Sequence, residues 1–142
     1  MGTWGTGLFE NDDAGDWTMY FLDAPSERLL RAASEAVIGI EDYIERDLGG
    51  YALAAAEVVA AANGRPSRDI PPKLRNCAEV NQGVATPELA GQAMAAIDRV
   101  MIAESSEIAE LSWATDTLAA DWAVWVYDLR LRLAEADERR LA

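Results

Sequence analysis

Tyr51-Ala52-Leu53-Ala54-Ala55-Ala56-Glu57-Val58-Val59-Ala60-Ala61-Ala62-Asn63 is the stretch that decides the fold. It is rich in strong helix formers and free of glycine and proline, which predicts one helix from about Tyr51 to Asn63. That helix is apolar nearly all round, with Glu57 its only charge. Such a helix has no face to leave in water, so it must sit at the centre with other helices around it. The run is also too short to span a bilayer, which takes about 20 residues. Gly64 follows as a natural C-cap, ahead of the loop Arg65-Pro66-Ser67-Arg68-Asp69. The small side chains predict close approach of the neighbouring helices.

Working upstream, the segment Glu41 to Gly50 is less regular, and Gly49-Gly50 is expected to break it. Before it, a helix starting around Ser26 carries Leu29, Leu30, Ala33, Val37 and Ile40 at helical spacing. An earlier helix is capped by Asn11 or Asp12 and stops near Asp23, ahead of Pro25. Its Trp17, Tyr20 and Phe21 fall at i, i+3 and i+4, predicting one aromatic face. Residues 1–10 are glycine-punctuated and read as an arm that docks Trp4, Leu8 and Phe9 on the body.

Downstream, Pro71-Pro72 opens a short helix to about Asn81 with Leu74, Cys77 and Ala78 inward. Thr86-Pro87-Glu88 starts another, with an N-cap threonine and proline at the first helical position, running to about Ala103. Ser105 or Ser106 caps a last segment, broken near Ser112. It bears one stripe of Leu111, Thr115, Leu118, Trp122, Trp125, Leu129 and Leu133, and a second of Trp113, Ala120, Val124, Tyr127 and Leu131. The first stripe is expected to pack inward, and part of the second to be covered by the N-terminal arm. Residues 135–142 are charged and expected to fray. The expectation is a single all-α domain over residues 1–142, a bundle of about five to six helices with a Gly-rich arm packed on it.

Composition narrows the chemistry. The chain has 142 residues, enough for one substantial core, and its net charge is −13 with no histidine. Such a chain is repelled by nucleic acid phosphates and anionic membranes. Without histidine, Ser-His and Cys-His mechanisms are excluded, and with one cysteine, Cys77, neither a zinc site nor an internal disulfide is expected. No cofactor and no metal is expected. No secretory signal or spanning segment is visible, so the cytoplasm is the expected compartment. Arginine outnumbers lysine eleven to one, a bias of GC-rich bacterial genomes.

Met1-Gly2-Thr3-Trp4-Gly5-Thr6-Gly7-Leu8-Phe9-Glu10-Asn11-Asp12-Asp13-Ala14-Gly15-Asp16-Trp17 resembles the opening of a bacterial family known as domain of unknown function 4259. Trp4, Gly5, Gly7, Phe9, Asn11, Asp12, Ala14, Asp16 and Trp17 fill the positions of its opening motif. The runs Ala54 to Ala61 and Ser106 to Leu111, and Trp122 ahead of a Leu/Arg-rich helix, are similar too. Leu8, where many relatives carry proline, and Ser112, between Leu111 and Trp113 where relatives tend to place the Trp directly after the Leu, depart from the pattern. The resemblance implies a small helical domain with no assigned activity, and brings no catalytic residues.

The most site-like group is Asn11, Asp12, Asp13 and Asp16. Asp12 and Asp16 are one helical turn apart, so both carboxylates can face one cation or a substrate ammonium. The preferred reading is structural: Trp4, Gly5, Gly7, Phe9, Asn11, Asp12, Asp16 and Trp17 form a clasp, with Asp13 solvated. Trp113, Trp122 and Trp125 are a candidate interaction surface, tryptophan being common at binding hot spots, although core packing is the commoner fate. With no catalytic constellation, the expected function is non-enzymatic, a contact with a partner of basic surface as an inhibitor or immunity-type protein makes. A homodimer is the other possible partner arrangement. The alternative is a small-ligand binder or hydrolase-type enzyme using Asp12 and Asp16, helped by Tyr43 or Glu57.

Overall fold

The computed structural model describes residues 12–68, 70–102, 105–108 and 124–135. Within them lie α1 (Asp12–Asp23), α2 (Glu27–Ile38), α3 (Arg46–Ala62), α4 (Pro72–Val80), α5 (Pro87–Val100) and a sixth helical stretch, α6 (124–135). A single 3-10 turn, Gln82–Val84, links α4 to α5. No β-strand occurs among the described residues; one isolated parallel bridge joins Ile44 to Ser106. The architecture is an all-α bundle.

α3 is the axis, as its composition demands. Every residue from Ala52 to Ala62 is buried, and α1, α2, α4 and α5 all pack on it. Its ends differ from the sequence expectation in one respect. The helix begins at Arg46, so Gly49-Gly50 continues it where a break was expected. A Cβ at Gly49 would lie 3.2 Å from Ile108 Cδ1 and 3.6 Å from Val100 Cγ1. Glycine there serves close packing of α5 and the residue 108 segment, which offsets its poor helix propensity. At the other end Gly64 has φ +84°, with Arg65 N–H donating to Ala60 O and Gly64 N–H to Ala61 O. Those two bonds form a Schellman ending, in which a left-handed glycine reverses the chain.

The N-termini are capped by different means. Ser26 caps α2 by accepting a hydrogen bond from Leu29 N–H at 3.2 Å. Pro87 fits the first turn of α5, but the Thr86 hydroxyl makes no cap bond, and α5 ends at Val100, short of Ala103. α3 borrows its cap: Glu107 Oε1 accepts from Arg46 N–H at 3.0 Å across the chain. Arg99 fastens the same corner, donating to the Ile40 and Asp42 carbonyls and to Ser105 Oγ.

Candidate functional site

The acidic first turns of α1 meet the start of α3. Asp13 is not solvated as expected: its carboxylate pairs with Arg46 at 3.0 Å and is only 17% exposed. α3 starts a turn earlier than the sequence indicated, and that brings Arg46 beside α1. Asp16 is exposed. Trp17 and Phe21 are buried and stacked, ring centroids 5.4 Å apart, whereas Tyr20 is exposed. The aromatic face is therefore two rings wide. Ala14 and Thr18 complete the buried side, with the Thr18 hydroxyl donating to Ala14 O at 2.8 Å. Trp4, Gly5, Gly7, Phe9 and Asn11, and the pairing of Asp12 with Asp16, lie outside the described residues, so the clasp itself does too.

Between α1, α2 and α3 an apolar cleft of about 190 Å³ opens, lined chiefly by Trp17, Leu29, Ala32, Ala36, Leu48 and Tyr51. Burial pushes the Tyr51 phenol up, and its neighbours Asp47, Asp13, Tyr20 and Asp16 push it further the same way. Three carboxylates thus share the surroundings of one wall of the cleft.

A second polar feature lies in the core. Glu57, on the apolar helix α3, is 0% exposed, and its Oε1 accepts from Arg132 Nη1 at 2.7 Å. Arg132, on α6, also donates from Nε to Asp128 and from Nη1 to the Arg65 carbonyl. Burial pushes the Glu57 carboxyl up; Arg132 opposes this, Trp125 bears on the same carboxylate in the same sense, and Asp128 adds to the rise. Among the described residues Glu57 Oε2 and Arg132 Nη2 have no hydrogen-bond partner. A buried acid in the apolar run from Ala52 to Ala62 needs either a buried base or a proton, and that much the sequence signals through Glu57. Which arginine supplies it is a tertiary matter, since the partners are 75 residues apart.

α6 is apolar on two sides. Val126, Leu129 and Leu133 are buried, and Arg130 ties the helix to Asp98 of α5 through two bonds of 2.8 Å. Opposite, Val124, Tyr127 and Leu131 are exposed by 72%, 69% and 49%. The described part of the second stripe is therefore open, while Trp113, Ala120 and the N-terminal arm expected to cover part of that stripe lie outside the described residues. Trp125 is half-buried, on the edge of the inward face, and Trp113 and Trp122 lie outside the described residues. Glu135, placed in the fraying tail by its sequence, is still helical and pairs with Arg65 at 2.9 Å; 136–142 lie outside the described residues. Cys77 is half-buried, with Asn81 Nδ2 3.6 Å from its sulfur. Tyr43 is exposed on the turn before α3 and Glu57 is enclosed, so the two do not meet at a common surface. Among the described residues no group of three or more Cys, Asp or Glu is placed to hold a metal ion, and no helix is long and apolar enough to cross a membrane.

Helices gathered on a buried axis, one enclosed ion pair and apolar surface left open define a small all-α bundle domain. The chain belongs to the family described as Domain of unknown function (DUF4259), whose model matches residues 2–124. Tyr127, Leu131 and Arg132 fall past the end of that match. No curated protein and no solved structure matches the chain.

Proposed function

We propose that the protein is a non-enzymatic bacterial, cytoplasmic domain that acts by binding another protein of basic surface, in the manner of an inhibitor or immunity protein. The observation that carries this reading is the exposed Val124, Tyr127 and Leu131 face of α6. Three large apolar side chains stand one turn apart on a helix already docked by its other side, and tyrosine is enriched in interface cores. A net charge of −13 sets the sign of the partner, because complementary potentials speed encounter and reject wrong partners. Among the described residues the one fully enclosed acid, Glu57, is engaged by Arg132 and out of reach of a substrate, which favours binding over catalysis.

The test is capture from the native host, with wild type and Tyr127→Asp compared side by side. The expected result is a stoichiometric basic protein whose affinity falls about 30-fold or more in the variant, the scale of an interface hot spot. Equal capture by both, or self-association through this face detected by light scattering, would refute the reading.

A further inference from the structure

We infer that the cleft between α1, α2 and α3 is an anchor socket for one arginine side chain carried by the protein partner. The inference rests on the reading above and adds a second, chemically distinct contact to it. Volume decides the size of the occupant. At about 190 Å³ the cleft is smaller than the roughly 300 Å³ at which drug-sized ligand sites begin, yet larger than the 150 Å³ that accommodates a benzene ring. One long side chain fits.

Chemistry decides its kind. The walls are the apolar groups of Leu29, Ala36 and Leu48 with two aromatic side chains, Trp17 and Tyr51. They suit an aliphatic stem and a flat, weakly hydrated head. Asp16 and Asp47 directly precede the lining residues Trp17 and Leu48, both act on the Tyr51 phenol together with Asp13, and Arg46 pairs with Asp13, so two of the three acids are left to favour a cation. An arginine satisfies both demands: its methylenes bury against apolar walls, and its guanidinium is always charged and stacks on aromatic rings. A lysine head is more strongly hydrated and gains less beside Trp17 and Tyr51.

The probes are N-butylguanidinium and its neutral isostere N-butylurea, titrated into the full chain and followed by amide and indole shifts in nitrogen-15 spectra. Saturable shifts are expected at Trp17, Ala36 and Tyr51, with the guanidinium bound about tenfold more tightly and that ratio shrinking as salt screens the carboxylates. Ala36 is exposed on α2, so Ala36→Leu fills the cleft with a good helix former and should abolish binding of both probes while the fold holds. Asp16→Asn, also at an exposed position, should weaken the guanidinium a few-fold and leave the urea unchanged. Equal affinity for the two probes, or shifts that survive Ala36→Leu, would overturn the socket. If the native partner binds wild type and Ala36→Leu equally, the socket fails and the partner reading stands. If the guanidinium binds as described while no basic protein is captured, the partner reading fails and the socket stands.

Discussion

Arg132→Met isolates the enclosed ion pair and has a cost that depends on pH. In the native fold Arg132 Nη1 meets Glu57 Oε1 at 2.7 Å, and Glu57 has no solvent exposure. Removing one partner of a buried pair ordinarily costs about 3–5 kcal/mol, because a charge is left without compensation. Glu57 has an escape, which is to bind a proton. That costs about 1.4 kcal/mol for each pH unit above about 4.3, so about 3.7 kcal/mol at pH 7 and about 1 kcal/mol at pH 5. The native pair already carries part of this cost, since burial raises the Glu57 carboxyl even with Arg132 present. The folded chain therefore holds that proton more tightly than the unfolded chain does. The resulting stability is complete below the ordinary glutamate range and is lost as pH rises through the raised value. In Arg132→Met the value rises further, so the loss relative to wild type should be about 2–4 kcal/mol at pH 7 and about 1 kcal/mol or less at pH 5.

Urea titrations of wild type, Arg132→Met and Glu57→Met/Arg132→Met at both pH values measure this through the midpoint at constant m. The double variant should lie within about 1–2 kcal/mol of wild type at either pH, because a buried pair exchanged for apolar groups is often neutral or better. The Arg65 carbonyl loses a donor in that variant, while Asp128, 62% exposed, rehydrates freely. A penalty for Arg132→Met that is the same at pH 5 and pH 7 would refute the argument. So would a double variant weaker than the single one.

Gly15 and Gly49, both within helices, separate propensity from packing. Gly15→Ala, with open space around the new methyl, should stabilise by about 0.5–1 kcal/mol, whereas Gly49→Val should overpack Ile108 and cost about 1–3 kcal/mol; thermal melts that reverse this order would place Ile108 elsewhere. The local and the borrowed cap should be worth similar amounts. Ser26→Ala and Glu107→Ala should each cost about 1 kcal/mol, with faster amide exchange at Leu29 and Arg46 respectively, and an unchanged Arg46 rate would show that Glu107 caps nothing.

What the sequence reveals here follows the range of the interactions involved. α2, α4 and α5 are legible because their starts are written locally: Ser26, Pro72 and Pro87 stand at or beside the first turn. α3 is legible from composition alone, since an apolar helix has only the centre to occupy. Its true start is not, because the close packing that suits a glycine at position 49 comes from Val100 and Ile108, far along the chain. Periodicity also overstates faces. It groups Tyr20 with Trp17 and Phe21, yet burial is decided by where α3 lies, and Tyr20 falls just off that line. The same limit applies to α6, whose two stripes are equally apolar as sequence, although one is buried and the other open. Asp13 and Glu57 were visible as acids; Arg46 and Arg132 as their partners were not, because ion pairs 33 and 75 residues apart leave no local pattern.

The placement of the described carboxylates is the ground on which the proposed binding function is preferred to the enzymatic alternative. Acid–base work on a substrate needs a group whose proton affinity is shifted and which also touches the reacting atoms. Glu57 meets the first condition through burial and fails the second for the same reason, being sealed against Arg132 beneath α6. Asp16 is exposed on α1, one residue before Trp17 of the apolar cleft. The described surface includes apolar area on α6 and a small apolar cleft beside Trp17 and Tyr51. Under the proposed function, the first contact would hold against added salt and set how long the complex lasts, while the second would weaken as salt screens its carboxylates. Glu57 and Arg132 tie α6 to α3, so the face proposed for binding is presented by a helix that is fixed from its buried side.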